Sequence, residues 1–174
     1  SRREDPPDPP GRRVLDEKVS IESVPDAMVE TPIDLSGVLE DGRGHLVLII
    51  EPVQGVLKSL RYRPRVIRVW IQATGIGLDA FVDGQEMIAW ANSLDDGAPL
   101  EDVKLALVPG KVSATTGADG LASLALSTSS KDTGAYLIAR HGGETAILPQ
   151  NTGWWRGGGW TRQEPRDEAH WYVF

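Results

Sequence analysis

The 174-residue chain contains no cysteine. This excludes disulfides, thiolate metal sites and a cysteine nucleophile, and leaves the fold to burial and hydrogen bonding. No apolar run reaches the length of about eighteen residues that a membrane-crossing helix needs. The opening stretch SRREDPPDPP has neither the apolar centre nor the small-residue cleavage site of an export signal, so localisation has to be inferred from elsewhere. Histidine is scarce, and His45, His141 and His170 stand far apart. None of the short spacings that place two metal ligands on one element occurs, so neither a metal site nor a cofactor is expected. Basic residues are outnumbered, with 18 Lys and Arg against 25 Asp and Glu, a net charge of −7. Sequence-independent phosphate binding needs clustered cations that release counterions, so nucleic acid is not expected as a partner.

What is present is enough apolar residue, 40%, for a genuine core. Residues 1–28 are rich in proline and in charge of both signs, the composition of a linker or of the remnant of a preceding segment. Composition changes at Thr31-Pro32, after which short apolar runs alternate with Gly, Pro, Asp and Asn at regular spacing, as in a β-sandwich. In residues 66–73, Ile67, Val69, Ile71 and Ala73 share one face, and Arg68, Trp70 and Gln72 the other. That is the two-residue period of a strand. Residues 45–50 are apolar on both faces and end at Glu51-Pro52, which suits a central strand. Asp83-Gly84 predicts a two-residue hairpin between residues 77–82 and 86–91, because that dipeptide tolerates positive φ. A turn at residues 95–99 precedes a strand alternating through Val103, Leu105 and Leu107, and Pro109-Gly110 turns the chain again. Two further hairpins are expected, one joining residues 112–116 to 121–126 and one joining 136–140 to 145–148 across His141-Gly142-Gly143.

These strands, about seven to nine of them, predict an all-β fold: an antiparallel immunoglobulin or fibronectin III-like β-sandwich with one core over residues 29–149. Trp70 or Trp90 is expected near that core. Only residues 94–107 would accommodate a helical turn. Residues 150–174 break the pattern, setting Trp154, Trp155, Trp160 and Trp171 among Gly157-Gly158-Gly159 and closing on His170-Trp171-Tyr172-Val173-Phe174. This reads as a connector whose last run begins a strand of a further domain.

Candidate sites are few. Asp119-Gly120 could suggest calcium, yet calcium takes about six to eight oxygens, and turn chemistry explains the pair. Ser123, His141 and an aspartate could be gathered into a triad only by choice, because no Gly-x-Ser-x-Gly elbow is present. Arg61, Arg63, Arg65 and Arg68 surround Tyr62 and Pro64. They read as a solvated loop feeding a strand, or as a contact for an acidic partner surface. Trp154, Trp155, Trp160 and Trp171 could anchor a neighbouring domain, stack on a carbohydrate, or fold back over their own core.

Several segments together resemble a known family. They are Val69-Trp70-Ile71-Gln72-Ala73-Thr74, residues 77–82, Ala89-Trp90-Ala91-Asn92-Ser93-Leu94, Gly97-Ala98-Pro99-Leu100, and Thr116-Gly117-Ala118-Asp119-Gly120-Leu121-Ala122. In order, they are similar to the V-W-V-Q-x-T, S-L-x-x-G-x-P-L and T-x-x-D-G-x-A elements of macroglobulin-type domains in bacterial α2-macroglobulins. The run from His170 to Phe174 resembles the one that precedes that family's entry into its next domain. The resemblance spans about residues 30–174. It implies a non-enzymatic structural module of a large cell-envelope or periplasmic protein that traps proteases. In such proteins a bait segment is cut, the molecule rearranges, and in many members a Cys-Gln thioester captures the attacker. Without cysteine, this chain carries no thioester and would be scaffold. Its implied partners are the neighbouring domains of the same protein and, through the whole molecule, target proteases, with no direct membrane insertion. The alternative from the residues alone is a stand-alone immunoglobulin-like adhesin or carbohydrate-binding module using Trp154, Trp155 and Trp160.

Overall fold

The computed structural model describes residues 9, 11–53, 66–126, 136–151 and 159–161. It divides into two compact units, Ser1–Ala73 and Thr74–Phe174. Among the described residues there are nine β-strands and, besides them, a single 3-10 turn at Glu40–Gly42. Every strand pairing is antiparallel.

In the first unit, residues 11–39 contribute no strand. β1 (Gly44–Ile50) pairs with β2 (Ile67–Ala73) as a two-stranded sheet. Their register sets Leu46 opposite Ile71, Leu48 opposite Val69 and Ile50 opposite Ile67, so the period-two pattern of both strands makes one wholly apolar face. The other face is mixed, and there His45 stacks on Trp70 with ring centroids 5.7 Å apart and planes at 20°. Trp70 is exposed, and no residue of β1 or β2 belongs to the buried core cluster. The one core expected over residues 29–149 therefore gathers its buried residues from position 76 onward.

The second unit is the sandwich. β3 (Ile76–Asp83), β4 (Glu86–Ser93) and β7 (Leu121–Ala125) form one sheet in the order β3-β4-β7. β5 (Lys104–Val108), β6 (Ser113–Thr115), β8 (Tyr136–His141) and β9 (Glu144–Pro149) form the other, in the order β6-β5-β8-β9. A three-stranded sheet facing a four-stranded one is the fibronectin III-like arrangement. Alternate residues of both sheets meet inside: Ala80, Met87, Ala89, Ala91, Ala122 and Leu124 from the first, and Leu105, Leu107, Leu137, Ala139 and Ala146 from the second. Short alanines on one side against leucines on the other let the two faces interdigitate at interior density.

The expected hairpins at Asp83-Gly84 and at Gly142-Gly143 form, with Asp83 opposite Glu86 and His141 opposite Glu144. The expected hairpin between residues 112–116 and 121–126 does not. β6 pairs with β5 and β7 with β4, so the intervening link carries the chain from one sheet to the other. The physical reason lies in its two ends. The Thr116 hydroxyl turns inward, accepts from the Val103 amide at 2.9 Å and donates to the Leu100 carbonyl at 2.6 Å. That ends β6 after three residues. At the far end the Gly120 carbonyl accepts from the Ala91 amide at 2.9 Å, which delivers the chain to β4 rather than back to β6. Thr116 is the one buried polar residue among those described, and both of its bonds go to backbone groups that would otherwise be orphaned.

Candidate functional site

The segment after β9 holds four of the six tryptophans, and the structure closes its base. Trp160 returns to the end of β9 and forms a parallel bridge with Gln150. The Trp160 amide donates to the Pro149 carbonyl at 3.1 Å, and its carbonyl accepts from the Asn151 amide at 2.7 Å. The backbone at Gly159 passes so close to the Pro149 carbonyl that a side chain there would collide with it. Held in this way, the Trp160 indole enters the sandwich core and is 1% exposed. Its Nε1 has no hydrogen-bond partner. The large apolar ring thus contributes its full burial while one donor is desolvated without return.

Trp160 therefore sits inside its own domain. Trp154, Trp155, Trp171, Arg61 and Arg63 lie outside the described residues, as do Arg65 and His170. Arg68 lies on β2 opposite Ile49 and is exposed.

The remaining polar candidates serve the backbone. The Asp119 carboxylate accepts from the Leu121 amide at 3.0 Å, two residues on, which closes the turn before β7. No group of three or more His, Asp or Glu residues is placed to hold a metal ion among the described residues. The Ser123 hydroxyl donates to the Glu86 carboxylate on the neighbouring strand, whereas His141 stands on the opposite sheet. Asp96 is held below the ordinary carboxylate range by the Ser93 side chain and then by the Ala98 amide, again a turn closure. The Glu144 carboxylate accepts from the Thr74 hydroxyl and the Gly75 amide, tying the start of β3 to β9.

What sequence reasoning did not single out is the outside of the sandwich. Trp90, expected near the core, is 43% exposed. Strand parity decides this: Met87, Ala89 and Ala91 of β4 are fully buried, so Glu86, Ile88, Trp90 and Asn92 point away. On that outer face Trp90 lies between Asp79 of β3 and Leu121 of β7, and Phe81 is 65% exposed.

No protein-family model and no curated protein matches the sequence. Two solved structures do resemble the chain. Native α2-macroglobulin from Escherichia coli spanning domains MG0-NIE-MG1 matches with a TM-score of 0.50 and 21% identity over 62% of this chain. The fragment spanning NIE-MG1 matches with a TM-score of 0.51 and 20% identity over 63% of this chain. The match occupies 33% and 50% of those chains respectively. The fold is thus similar to one found in a bacterial α2-macroglobulin.

Proposed function

We propose that the chain is a structural module of a bacterial α2-macroglobulin, a broad-spectrum protease-trapping inhibitor of the cell envelope, and that it performs no catalysis itself. The observation that carries this reading is the likeness of its all-β fold to the two E. coli α2-macroglobulin fragments. Further support comes from the family-like sequence elements, which fall on β2, β3, β4 and the β6-β7 link. A trap whose rearrangement follows bait cleavage needs domains that move as rigid bodies. The sandwich suits that role, because its described interior is apolar apart from the Thr116 hydroxyl, which is bonded on both sides, and the indole N–H of Trp160. In this reading its partners are the adjoining domains of the same protein, and proteases are met only by the whole molecule.

The test uses the full-length gene product mixed with trypsin. Trypsin should keep cleaving a small chromogenic peptide while losing most of its activity on a large protein substrate, and the 174-residue chain alone should protect nothing. Unimpeded cleavage of the large substrate in the presence of the full-length product would count against the proposal.

A further inference from the structure

The two outer faces of the sandwich are both apolar at the centre and carry opposite charge. On the β3-β4-β7 sheet the outward positions are Asp79, Phe81 and Asp83, then Glu86, Ile88, Trp90 and Asn92, then Leu121, Ser123 and Ala125. Phe81, Ile88, Trp90 and Leu121 form the apolar part, and every charged residue of the three strands' outer face is a carboxylate. On the β6-β5-β8-β9 sheet, Ala106, Val108, Tyr136, Ile138 and Ile147 form the apolar part. The charged residues of that face are Lys104 and Arg140, both cations.

Each face also holds a like-charge pair in register. Asp83 stands directly opposite Glu86, and Lys104 directly opposite Arg140, arrangements that cost stability when nothing of opposite sign is near. Lys104 and Arg140 take part in no ion pair with the described residues. A surface bringing the opposite charges around an apolar centre would relieve each pair, and the molecule itself carries both such surfaces.

We propose that the outer face of the β3-β4-β7 sheet docks against the outer face of the β6-β5-β8-β9 sheet of a second copy of this chain. The contact is head-to-tail, joining unlike surfaces. Like-to-like pairing is disfavoured, because it would set carboxylates against carboxylates or cations against cations. Phe81, Trp90 and Leu121 on one face, and Val108 and Tyr136 on the other, are each between 39% and 65% exposed. A few half-exposed side chains per face are little beside the roughly 800 Å² per partner of a stable complex, so free copies associate weakly and at high concentration.

Sedimentation equilibrium of the full chain tests this. At low salt the weight-average mass should rise above 18.9 kDa as concentration increases from about 10 μM to about 1 mM, and should fall back in about 0.5 M salt. A double variant Phe81→Ser/Trp90→Ser and a double variant Lys104→Glu/Arg140→Glu should each stay at the monomer mass. Mixed one to one, they should reach about twice that mass and stop, because each retains the face the other lacks. Only folded partners can form that capped pair, so the mixture also controls for folding. A wild-type chain that remains monomeric throughout would overturn the proposal, as would variants that associate like the wild type. So would a mixture that stays monomeric while both variants keep the wild-type thermal transition. Saturable quenching of Trp90 by a soluble oligosaccharide in a chain that never self-associates would likewise overturn it, in favour of a sugar platform.

Discussion

Trp160→Ala is expected to lower the stability of the sandwich by about 3–5 kcal/mol, the usual cost of emptying a large aromatic site in a core. Trp160 is 1% exposed and packed among residues of both sheets, and the strands around it cannot all collapse into the space it leaves. A domain of this size has a total stability of about 5–15 kcal/mol, so the variant should be close to unfolding at ordinary temperature. Trp160→Phe should cost far less. It keeps most of the ring and removes the unpaired Nε1, whose burial carries a penalty of about 1–3 kcal/mol. Urea unfolding followed by far-ultraviolet circular dichroism measures both variants without relying on the tryptophan being changed. The midpoint should drop steeply for alanine and modestly for phenylalanine, with little change in slope. Equal effects would mean that the indole is not packed as described.

Gly120→Ala carries the second large effect. Gly120 has φ of +74°, and a Cβ added there would lie 2.5 Å from the Ala91 carbonyl oxygen and 3.0 Å from Pro99 Cβ. A left-handed conformation alone costs an alanine about 1–2 kcal/mol, and forced overpacking adds about 1–3 kcal/mol more. Gly84→Ala separates the two contributions, because Gly84 also has positive φ but open space around it. Thermal unfolding should show Gly120→Ala losing roughly twice as much as Gly84→Ala or more. Because Gly120 also bonds the Ala91 amide, its displacement would loosen the crossing between the two sheets, and the loss should spread beyond one turn.

The local part of the fold was legible in the residues. Asp83-Gly84 and Gly142-Gly143 announce their hairpins, because the backbone a two-residue turn demands is one that few residues adopt. The alternation through Val103, Leu105 and Leu107 gave β5 its inward face for the same reason of period. What was not legible is non-local. The residues of β6 and β7 flank a turn as a hairpin would, and only the inward Thr116 hydroxyl and the Ala91-Gly120 bond divert them to different sheets. Trp90 sits in a strand whose two faces both contain apolar residues, so hydrophobicity cannot say which face is inside. The fully buried alanines on either side of it decide.

The site residues follow the same division. Trp160 was marked by its glycine-rich surroundings, but the bridge to Gln150 that carries it into the core joins segments ten positions apart through backbone alone. The opposed charges of the two outer faces were present as Asp79, Asp83 and Glu86, and as Lys104 and Arg140. They become two faces only once the strand order β3-β4-β7 and β6-β5-β8-β9 is known.

The proposed function has the chain act through its folded shape and not through any reactive group. The most direct measurement places substitutions in the full-length gene product and assays trypsin on small and large substrates. Protection of the large substrate should be lost with Gly120→Ala at temperatures that unfold the sandwich, and retained in full with Ser123→Ala and with His141→Ala. Protection that disappears with either of those two while the domain stays folded would contradict the account.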